Sequence, residues 1–357
     1  MQPQPQSAGI VDRPALEHRA VDRRLGEVGL GPAGGGARQR RLAAAAAAAL
    51  PAPEPGLGPM TDPDALAEIA ARDAWAARTI EQWVACPVRW LVEWLVSPDA
   101  IDPDPAPMIR GGIYHRVLQR TFEELRGVLT PAQLDNARSI ALGALREECS
   151  RRRLSAREHE HAAQVRRLEA SVLRYLAFAA ESGTVFRPAH FELSFGTSRD
   201  ERDPVQLAPG LRLSGRIDRI DVSPAGDDAI VIDYKRTTGG TPQARWDKDG
   251  DLQAGLYALA LPQLLPGTRV AGALYQPIGA RDQRPRGYLL DDVDADRGDI
   301  VHHDRVDAGE ADDLLAEVLR TASKAVDELR AGQVVPKPVE CGYRTPCAHP
   351  SICRCTP

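Results

Sequence analysis

Residues 211–235 read LRLSGRIDRIDVSPAGDDAIVIDYK, and this stretch decides the fold. Two runs of β-favouring residues flank SPAGDD, whose composition is typical of a turn, so the stretch predicts a β-hairpin. A tight turn centred on this segment places Asp218 directly opposite Asp233. Strand alternation puts Lys235 on the same face as Asp233, with Tyr234 pointing the other way. The sequence therefore predicts that two carboxylates and a lysine converge.

This arrangement of charges indicates a metal-dependent chemistry. Like charges directly opposite on a sheet repel, and a divalent cation removes the conflict. Hard oxygen ligands on a small rigid site suit Mg²⁺ or Mn²⁺, which accept phosphate oxygens of a substrate as further ligands. Lys235 then orients or helps deprotonate an attacking water, so the pattern predicts hydrolysis of phosphodiester bonds. The alternative is a set of solvated polar positions on an edge hairpin, where Lys235 neutralises Asp233.

Composition limits the classes of protein to consider. The 357 residues are 43% hydrophobic and 27% charged, as is usual for globular proteins. The longest apolar run, Leu42 to Leu50, is mostly alanine and too short to cross a bilayer, so we expect no membrane association and a cytoplasmic location. The net charge is −5, so binding of nucleic acid must depend on local patches. Arginine-rich residues 146–153 and 166–167 are two such patches, although a solvated helix face is the commoner explanation.

The order of predicted elements indicates a mixed α/β core wrapped by helices. Residues 1 to about 60 combine Pro, Gly, Arg and an alanine tract, so we expect a disordered low-complexity extension, with Met60 as a candidate start. We divide residues 61–357 into a helical part (about 61–185), an α/β core (about 186–335) and a cysteine-rich tail (336–357). Predicted helices begin at Asp62 or Asp64 and continue at about 79–96, 113–126, 131–150, 155–182, 251–264 and 310–331. Predicted strands cover 189–196, 211–222, 228–235 and 268–276.

Two residues outside the hairpin are candidates for the same site. His115 stands at helical spacing before Leu118 and Phe122, so it continues an inward-facing stripe and needs a partner. A core histidine bonded to a backbone carbonyl is the alternative to a metal ligand. Glu192 lies in the middle of HFELSF, predicted as a central strand, where a carboxylate is costly unless paired or metal-bound. We therefore place both residues in the candidate cluster.

Gln253 and Tyr257 form a further candidate pair. They lie one turn apart on the predicted helix 251–264, so their side chains share a face that follows the hairpin. Contact with a phosphate or a nucleotide is one interpretation, and hydrogen bonding on a helix surface is the other.

Cysteine usage predicts a second metal centre. Of six cysteines, Cys341, Cys347, Cys353 and Cys355 crowd the end of the chain, Cys86 lies far upstream and Cys149 stands apart as a bystander. In a chain without secretory features, clustered thiols are more often metal ligands than disulfides. Zinc and an iron-sulfur cluster both fit, although the tail lacks the paired C-x-x-C knuckles of zinc ribbons. With Cys86 as a ligand, the centre would staple the helical part to the tail.

Several motifs, in order and spacing over roughly residues 80–355, together resemble one known family. They read TIEQWVACPVRWLVEWLV (79–96), RGGIYHRVLQRTFEEL (110–125), GRIDRIDV (215–222), VIDYKRTTGG (231–240), LQAGLYALA (252–260) and CGYRTPCAHPSICR (341–354). The chain resembles the RecB-like branch of the PD-(D/E)XK nuclease superfamily. It is most similar to the iron-sulfur nuclease domain of AddB-type subunits of bacterial ATP-dependent helicase-nucleases. CRISPR-associated nucleases of the adaptation machinery share this layout.

The resemblance implies a fold and a set of roles. The fold would be restriction-endonuclease-like, a mixed β-sheet core flanked by helices, with a helical insertion and an iron-sulfur staple. His115, Asp218, Asp233 and the backbone carbonyl of Tyr234 would hold Mg²⁺ or Mn²⁺, and Lys235 would be the catalytic lysine beside the candidate catalytic residues Asp218, Asp233 and Glu192. Gln253 and Tyr257 match the family's Q-x-x-x-Y motif.

The resemblance also implies a [4Fe-4S] cluster, with one departure from the family pattern. Its ligands would be Cys86, Cys341, Cys347 and Cys353. The family usually has C-x-x-C-x5-C at the tail, whereas this chain has Arg344 where the first of those cysteines would fall. Cys355 is therefore an alternative ligand.

We expect a DNA exonuclease that acts on single-stranded or duplex ends in recombinational repair. The chain has no G-x-x-x-x-G-K-[ST] motif, so a helicase motor would be a partner ATPase subunit. Two alternatives stay open: a nuclease of CRISPR adaptation with the same chemistry, and a non-catalytic scaffold that binds DNA ends.

Overall fold

The computed structural model describes residues 57–97, 106–197, 200, 202–235, 242–246, 250–294, 296–336 and 349–353. These residues belong to one compact unit, Gly56–Pro357. The predicted disordered extension up to residue 56 lies outside the described residues, as do Cys341, Cys347 and Cys355. No helix among the described residues is long and apolar enough to span a bilayer.

The first helices surround a break at Cys86. Helix α1 covers Pro63–Ala70, where Asp62 accepts a hydrogen bond from the backbone N of Ala65 and caps the helix. The single helix predicted at 79–96 is wrong, because the structure has α2 (Ala77–Ala85), α3 (Pro87–Trp90) and a π-helical turn, Leu91–Val96. Pro87 is the physical reason: its ring disfavours helical geometry at the preceding residue, and Cys86 is extended, with φ −164° and ψ 106°.

Three longer helices follow, close to the predicted positions. They are α4 (Ala106–Leu125), α5 (Leu134–Arg151) and α6 (Glu158–Ala180). Helix α4 begins seven residues before the predicted residue 113. Pro107 did not prevent this because proline is tolerated in the first turn of a helix. Helix α5 packs against both α4 and α6, so the three form a helical layer.

The sheet confirms the four predicted strands and adds four short ones. The predicted strands are β2 (Arg187–Phe195), β4 (Leu211–Val222), β5 (Asp228–Lys235) and β6 (Arg269–Pro277). The added strands are β1 (Trp75–Ala76), β3 (Val205–Ala208), β7 (Arg286–Leu290) and β8 (Arg305–Val306). They are short, so tertiary pairing rather than a period-two pattern identifies them.

Sheet topology places the predicted hairpin in the interior of the sheet. The strand order is β1-β4-β5-β6-β7-β8, with β2 and β3 also paired to β4. Strands β4 and β5 are antiparallel in the predicted register, with Arg219 opposite Ile232 and Ile220 opposite Val231. Strand β6 runs parallel to β5 after the crossover helix α7 (Gln253–Leu264), which packs against both. The chain is therefore a mixed α/β protein with a central mixed sheet flanked by helices.

Strand β2 is an edge strand, which corrects the prediction that Glu192 lies on a central strand. Within the part of the chain that is described, β2 pairs only with β4, because the sheet extends on the other side through β5 and β6. Glu192 also departs from regular strand geometry, with a φ of +48°. A carboxylate here can therefore reach solvent.

The last elements close the fold. Helix α8 (Ala308–Arg330) begins with a capping box between Asp307 and Glu310 and packs against α2 and α7. A short helix α9 covers Pro350–Cys353. Apolar residues of the sheet and helices form one buried core, whose largest side chains are Trp75, Trp83, Trp90 and Trp246.

Candidate active site

Helix α4 carries His115 to the sheet. Leu118 and Phe122, one and two turns further on, are buried in the core, so the predicted inward stripe is present. The Nδ1 atom of His115 lies 3.1 Å from Oε1 of Glu192 and 3.4 Å from Oδ1 of Asp218. The partner of this histidine is therefore a pair of carboxylates and not a backbone carbonyl.

His115, Glu192 and Asp218 form a group of three candidate metal ligands. Each offers one ligand atom, and the three atoms lie within 4.8 Å of one another. Glu192 reaches Asp218 across β2 and β4, between the paired positions Phe191–Arg219 and Leu193–Ile217. One imidazole and two carboxylates are a donor set that fits a divalent ion such as Mg²⁺ or Mn²⁺.

The electrostatics of the group also favour a cation. Burial, and then the charge of Asp233, raise the pKa of Asp218 to about 7. Burial alone would lower the pKa of His115, but the hydrogen bond to Glu192 and the charge of Asp218 outweigh it and raise that pKa. A cation at the point where the three side chains meet would offset the burial and the repulsion from Asp233 that raise the pKa of Asp218.

Tyr234 links the two strands of the hairpin through its backbone. Its N–H donates to Oδ2 of Asp218 at 2.8 Å and fixes the carboxylate across the strands. Its side chain lies on the opposite face, where Nη1 of Arg219 donates to its hydroxyl at 2.8 Å. The proposed role of the Tyr234 carbonyl as a ligand stays a prediction.

Asp233 lies outside the group of three because its carboxylate is directed at Lys235. Its Oδ2 is 2.8 Å from Nζ of Lys235, so the two side chains share a face as the alternation predicts. Burial would lower the pKa of Lys235, but the charges of Asp233 and then Glu81 outweigh it and raise that pKa well above its ordinary value. Lys235 is therefore a cation at neutral pH in this geometry.

The comparisons with known proteins now identify the family. The model of the PD-(D/E)XK nuclease superfamily matches residues 74–354, which covers both the helical part and the sheet. The chain belongs to the PD-(D/E)XK nuclease superfamily. Its members are nucleases, so the substrate implied is DNA, and they typically use a divalent metal ion. The search of curated proteins found no match.

Gln253 and Tyr257 adjoin the lysine of this nuclease. Oε1 of Gln253 lies 3.3 Å from Nζ of Lys235, and its Nε2 lies 3.4 Å from the hydroxyl of Tyr257. Tyr257 is only 4% exposed, and burial raises its pKa to about 12. Its ring packs on β4 at Gly215, where an added Cβ would be 2.7 Å from the ring. Gln253 is thus the member of the pair that lies next to the charged site.

Glu81 on α2 is a neighbour of the site that the sequence analysis did not single out. Its Oε1 accepts a hydrogen bond from the backbone N of Gln253 at 2.8 Å. Burial raises the pKa of Glu81 to about 7, although the charge of Lys235 opposes this. The sequence feature that could have identified Glu81 is its position: it is the one acidic residue in the helix ARTIEQWVA, which ends directly before the Cys-Pro pair.

Of the three described cysteines, Cys149 is buried in α5, whereas Cys86 lies between the first helices and Cys353 in the tail. Cys86 is partly buried between α2 and α3, where its Sγ accepts from the backbone N of Arg89 at 3.4 Å. Cys353 is buried at the end of α9. Nε2 of His349, just before α9, lies 3.7 Å from Oε1 of Glu93 in the π-helical turn. The tail segment therefore contacts the helical region that follows Cys86.

Proposed function

We propose that this chain is a metal-dependent DNA exonuclease of the RecB-like branch, working with a helicase partner in recombinational repair. One observation carries the nuclease part: the ligand group of His115, Glu192 and Asp218 adjoins the Asp233–Lys235 ion pair. The exonuclease role and the helicase partner rest on the resemblance of the motifs to AddB-type subunits.

His115, Glu192 and Asp218 would hold the divalent ion, and Asp233 would add a ligand as the family resemblance implies. When bound, that ion supplies Lewis-acid polarisation of the scissile phosphate and activation of water. Lys235, held as a cation by Asp233, orients the attacking water and stabilises negative charge on the phosphate. Gln253 contacts a substrate phosphate. Tyr257 and Glu81 hold Gln253 in position, because they accept hydrogen bonds from its Nε2 and its backbone N, respectively.

We further propose a [4Fe-4S] cluster on Cys86, Cys341, Cys347 and Cys353, with Cys355 as the alternative ligand. The contact between His349 and Glu93 supports it, because it brings the tail beside the helices that flank Cys86. Iron and sulfide analysis of anaerobically purified protein tests it. Four irons per chain in the wild type, and their loss in Cys86→Ser and Cys353→Ser, are expected. A full iron content in both variants would contradict it.

The nuclease proposal is tested by cleavage of end-labelled linear DNA beside covalently closed circular single strands, in Mg²⁺ or Mn²⁺. We expect the wild type to degrade linear DNA and to leave the circles intact. Asp233→Asn should lose at least about 100-fold in rate, whereas Asp312→Asn, an exposed residue of α8 outside the ligand group, should not. Cleavage of the circles would overturn the exonuclease assignment, and equal rates for both variants would overturn the site.

A further inference from the structure

A buried arginine lies against the face of the hairpin opposite Asp233 and Lys235. Arg219 directly follows the candidate ligand Asp218 on β4. Strand alternation directs its side chain away from the carboxylates of the candidate site, into the protein. Substrate does not reach a group buried in this way, so any contribution of Arg219 to the reaction must pass through other residues.

Two tyrosines, an aspartate and a phenylalanine surround this guanidinium. Nη1 donates to the hydroxyl groups of Tyr175 on α6 and Tyr234 on β5, each at 2.8 Å. Nη2 donates to Oδ2 of Asp221 at 2.9 Å, and Nε lies 2.7 Å from Oδ1 of the same carboxylate. The guanidinium also lies over the ring of Phe122 on α4, 5.1 Å from its centroid. One side chain thus connects two strands and two helices.

Stability alone is a weak reason to bury this ion pair. The cost of desolvating two charges can exceed their attraction, and an apolar pair of similar volume is often as stable. Arg219 and Asp221 are only 5% and 2% exposed, so both are almost completely desolvated. What the ion pair adds is a fixed, directional hydrogen-bond geometry, which an apolar pair would not supply.

Tyr234 links Arg219 to the candidate metal ligands. Its backbone N–H donates to Oδ2 of Asp218 at 2.8 Å. Its ring packs edge-on against the imidazole of His115, with ring centroids 5.5 Å apart and planes at 62°. His115 and Phe122, which the guanidinium contacts, both lie on α4. Tyr234 therefore contacts two of the candidate ligands, and Arg219 fixes the hydroxyl end of Tyr234.

We propose that Arg219 and Asp221 are positioning residues for the candidate metal site and act through Tyr234. By fixing the Tyr234 side chain, the guanidinium sets its ring against His115 and its backbone N–H against Asp218. Groups that orient metal ligands commonly contribute about 10- to 100-fold to metal affinity. This proposal rests on the proposed nuclease function and adds residues that act on its ligands from the buried side of the hairpin.

The test compares two tyrosines that accept from the same guanidinium. Tyr234→Phe and Tyr175→Phe each remove one hydroxyl that lies 2.8 Å from Nη1 of Arg219. The ring of Tyr234 contacts His115, whereas the ring of Tyr175 contacts Phe122 and Tyr234. Titration calorimetry without DNA measures the affinity for Mn²⁺, and urea denaturation measures stability.

We expect the two tyrosine variants to differ in metal affinity but not in stability. Both should lower the urea midpoint, because each loses a hydrogen bond to a buried charge. Tyr234→Phe should weaken Mn²⁺ binding about fivefold or more. Tyr175→Phe should bind Mn²⁺ as the wild type does.

Removal of the ion pair itself should have the larger effect on metal affinity. Arg219→Met with Asp221→Asn leaves no unpaired buried charge and should weaken Mn²⁺ binding about tenfold or more. The matched control is Arg286→Met with Asp304→Asn, which removes an ion pair with a fully buried carboxylate at β7 and the start of β8. The control should keep its Mn²⁺ affinity. Circular dichroism checks folding, and the tyrosine variants decide the test if a double variant does not fold.

Three results would overturn the proposal: the two tyrosine variants bind Mn²⁺ equally, the Arg219 double variant binds it as its control does, or the wild type does not bind it. Cleavage of linear DNA is measured separately on the same proteins. If the wild type cleaves DNA while the two tyrosine variants bind Mn²⁺ equally, the positioning role fails and the nuclease stands. If Tyr234→Phe binds Mn²⁺ weakly and Tyr175→Phe does not, while no protein cleaves DNA, the positioning role stands and the nuclease proposal fails.

Discussion

Glu81 adds a second carboxylate beside Lys235. The titration of Glu81 should change the free energy of unfolding with pH. Its pKa, about 7 against an ordinary 4.5, means that the folded protein keeps a proton that the unfolded chain releases in this pH window. The free energy of unfolding should therefore fall as pH rises from about 4.5 to about 7 and level off above it. The contribution is about 1–3 kcal/mol.

Glu81→Gln measures this contribution, because the amide keeps the acceptor for Gln253 but does not titrate in that range. We expect the difference in unfolding free energy between wild type and variant, from urea melts at a series of pH values, to decline from pH 4.5 to 7. A difference that is constant across this range would mean that Glu81 ionises normally.

His115 and Glu192 should each be needed for metal affinity. Removal of one ligand from a small site weakens binding because the remaining donors cannot replace it. His115→Ala and Glu192→Gln should each bind Mn²⁺ about tenfold or more weakly by titration calorimetry without DNA. His190→Ala is the control, since this histidine lies on β2 outside the ligand group. Unchanged affinity in the first two variants would remove them from the metal site.

At the scale of elements, β4 and α7 meet at Gly215. An added Cβ there would lie 2.7 Å from Cε1 and 2.9 Å from the hydroxyl of Tyr257. Gly215→Ala should therefore destabilise the protein by about 1–3 kcal/mol in urea denaturation.

Gly143 in α5 is the control for this prediction, because the same substitution there should stabilise the protein. It has open space around it, so Gly143→Ala should stabilise by about 0.5–1 kcal/mol. Equal effects of the two substitutions would show that the contact between β4 and Tyr257 is not tight.

Elements with strong local signals could be predicted from sequence, and those defined by distant contacts could not. The hairpin register follows from turn chemistry and alternation, and the structure has it as predicted. The position of β2 at the sheet edge could not be found this way, because a strand's own pattern does not say how many neighbours it has. Glu81 is distant in sequence from Lys235 and Gln253, so only the fold brings them together.

At the scale of the whole molecule, the proposed cluster would join the two ends of the nuclease. The tail segment contacts the first helices through His349 and Glu93, and the four proposed cysteines span from residue 86 to residue 353. Closing so long a loop restricts the unfolded chain, so the cluster should contribute to global stability.

Oxidative removal of iron should therefore lower the thermal midpoint of the wild type by several degrees. Cys86→Ser should already melt at the lower temperature and should not respond to the same treatment. A wild type whose melting is insensitive to the loss of iron would contradict the role of a structural staple.

The most direct test of the central claim is single-turnover cleavage of labelled single-stranded DNA by Lys235→Ala, measured with binding of the same DNA in Ca²⁺. The account predicts that the variant binds within a few-fold of wild type while its cleavage rate falls by at least about 100-fold. A cleavage rate equal to that of the wild type would contradict the assignment of the Asp233–Lys235 pair to the reaction. The same holds for a wild type that binds DNA but does not cleave it with Mg²⁺ or Mn²⁺.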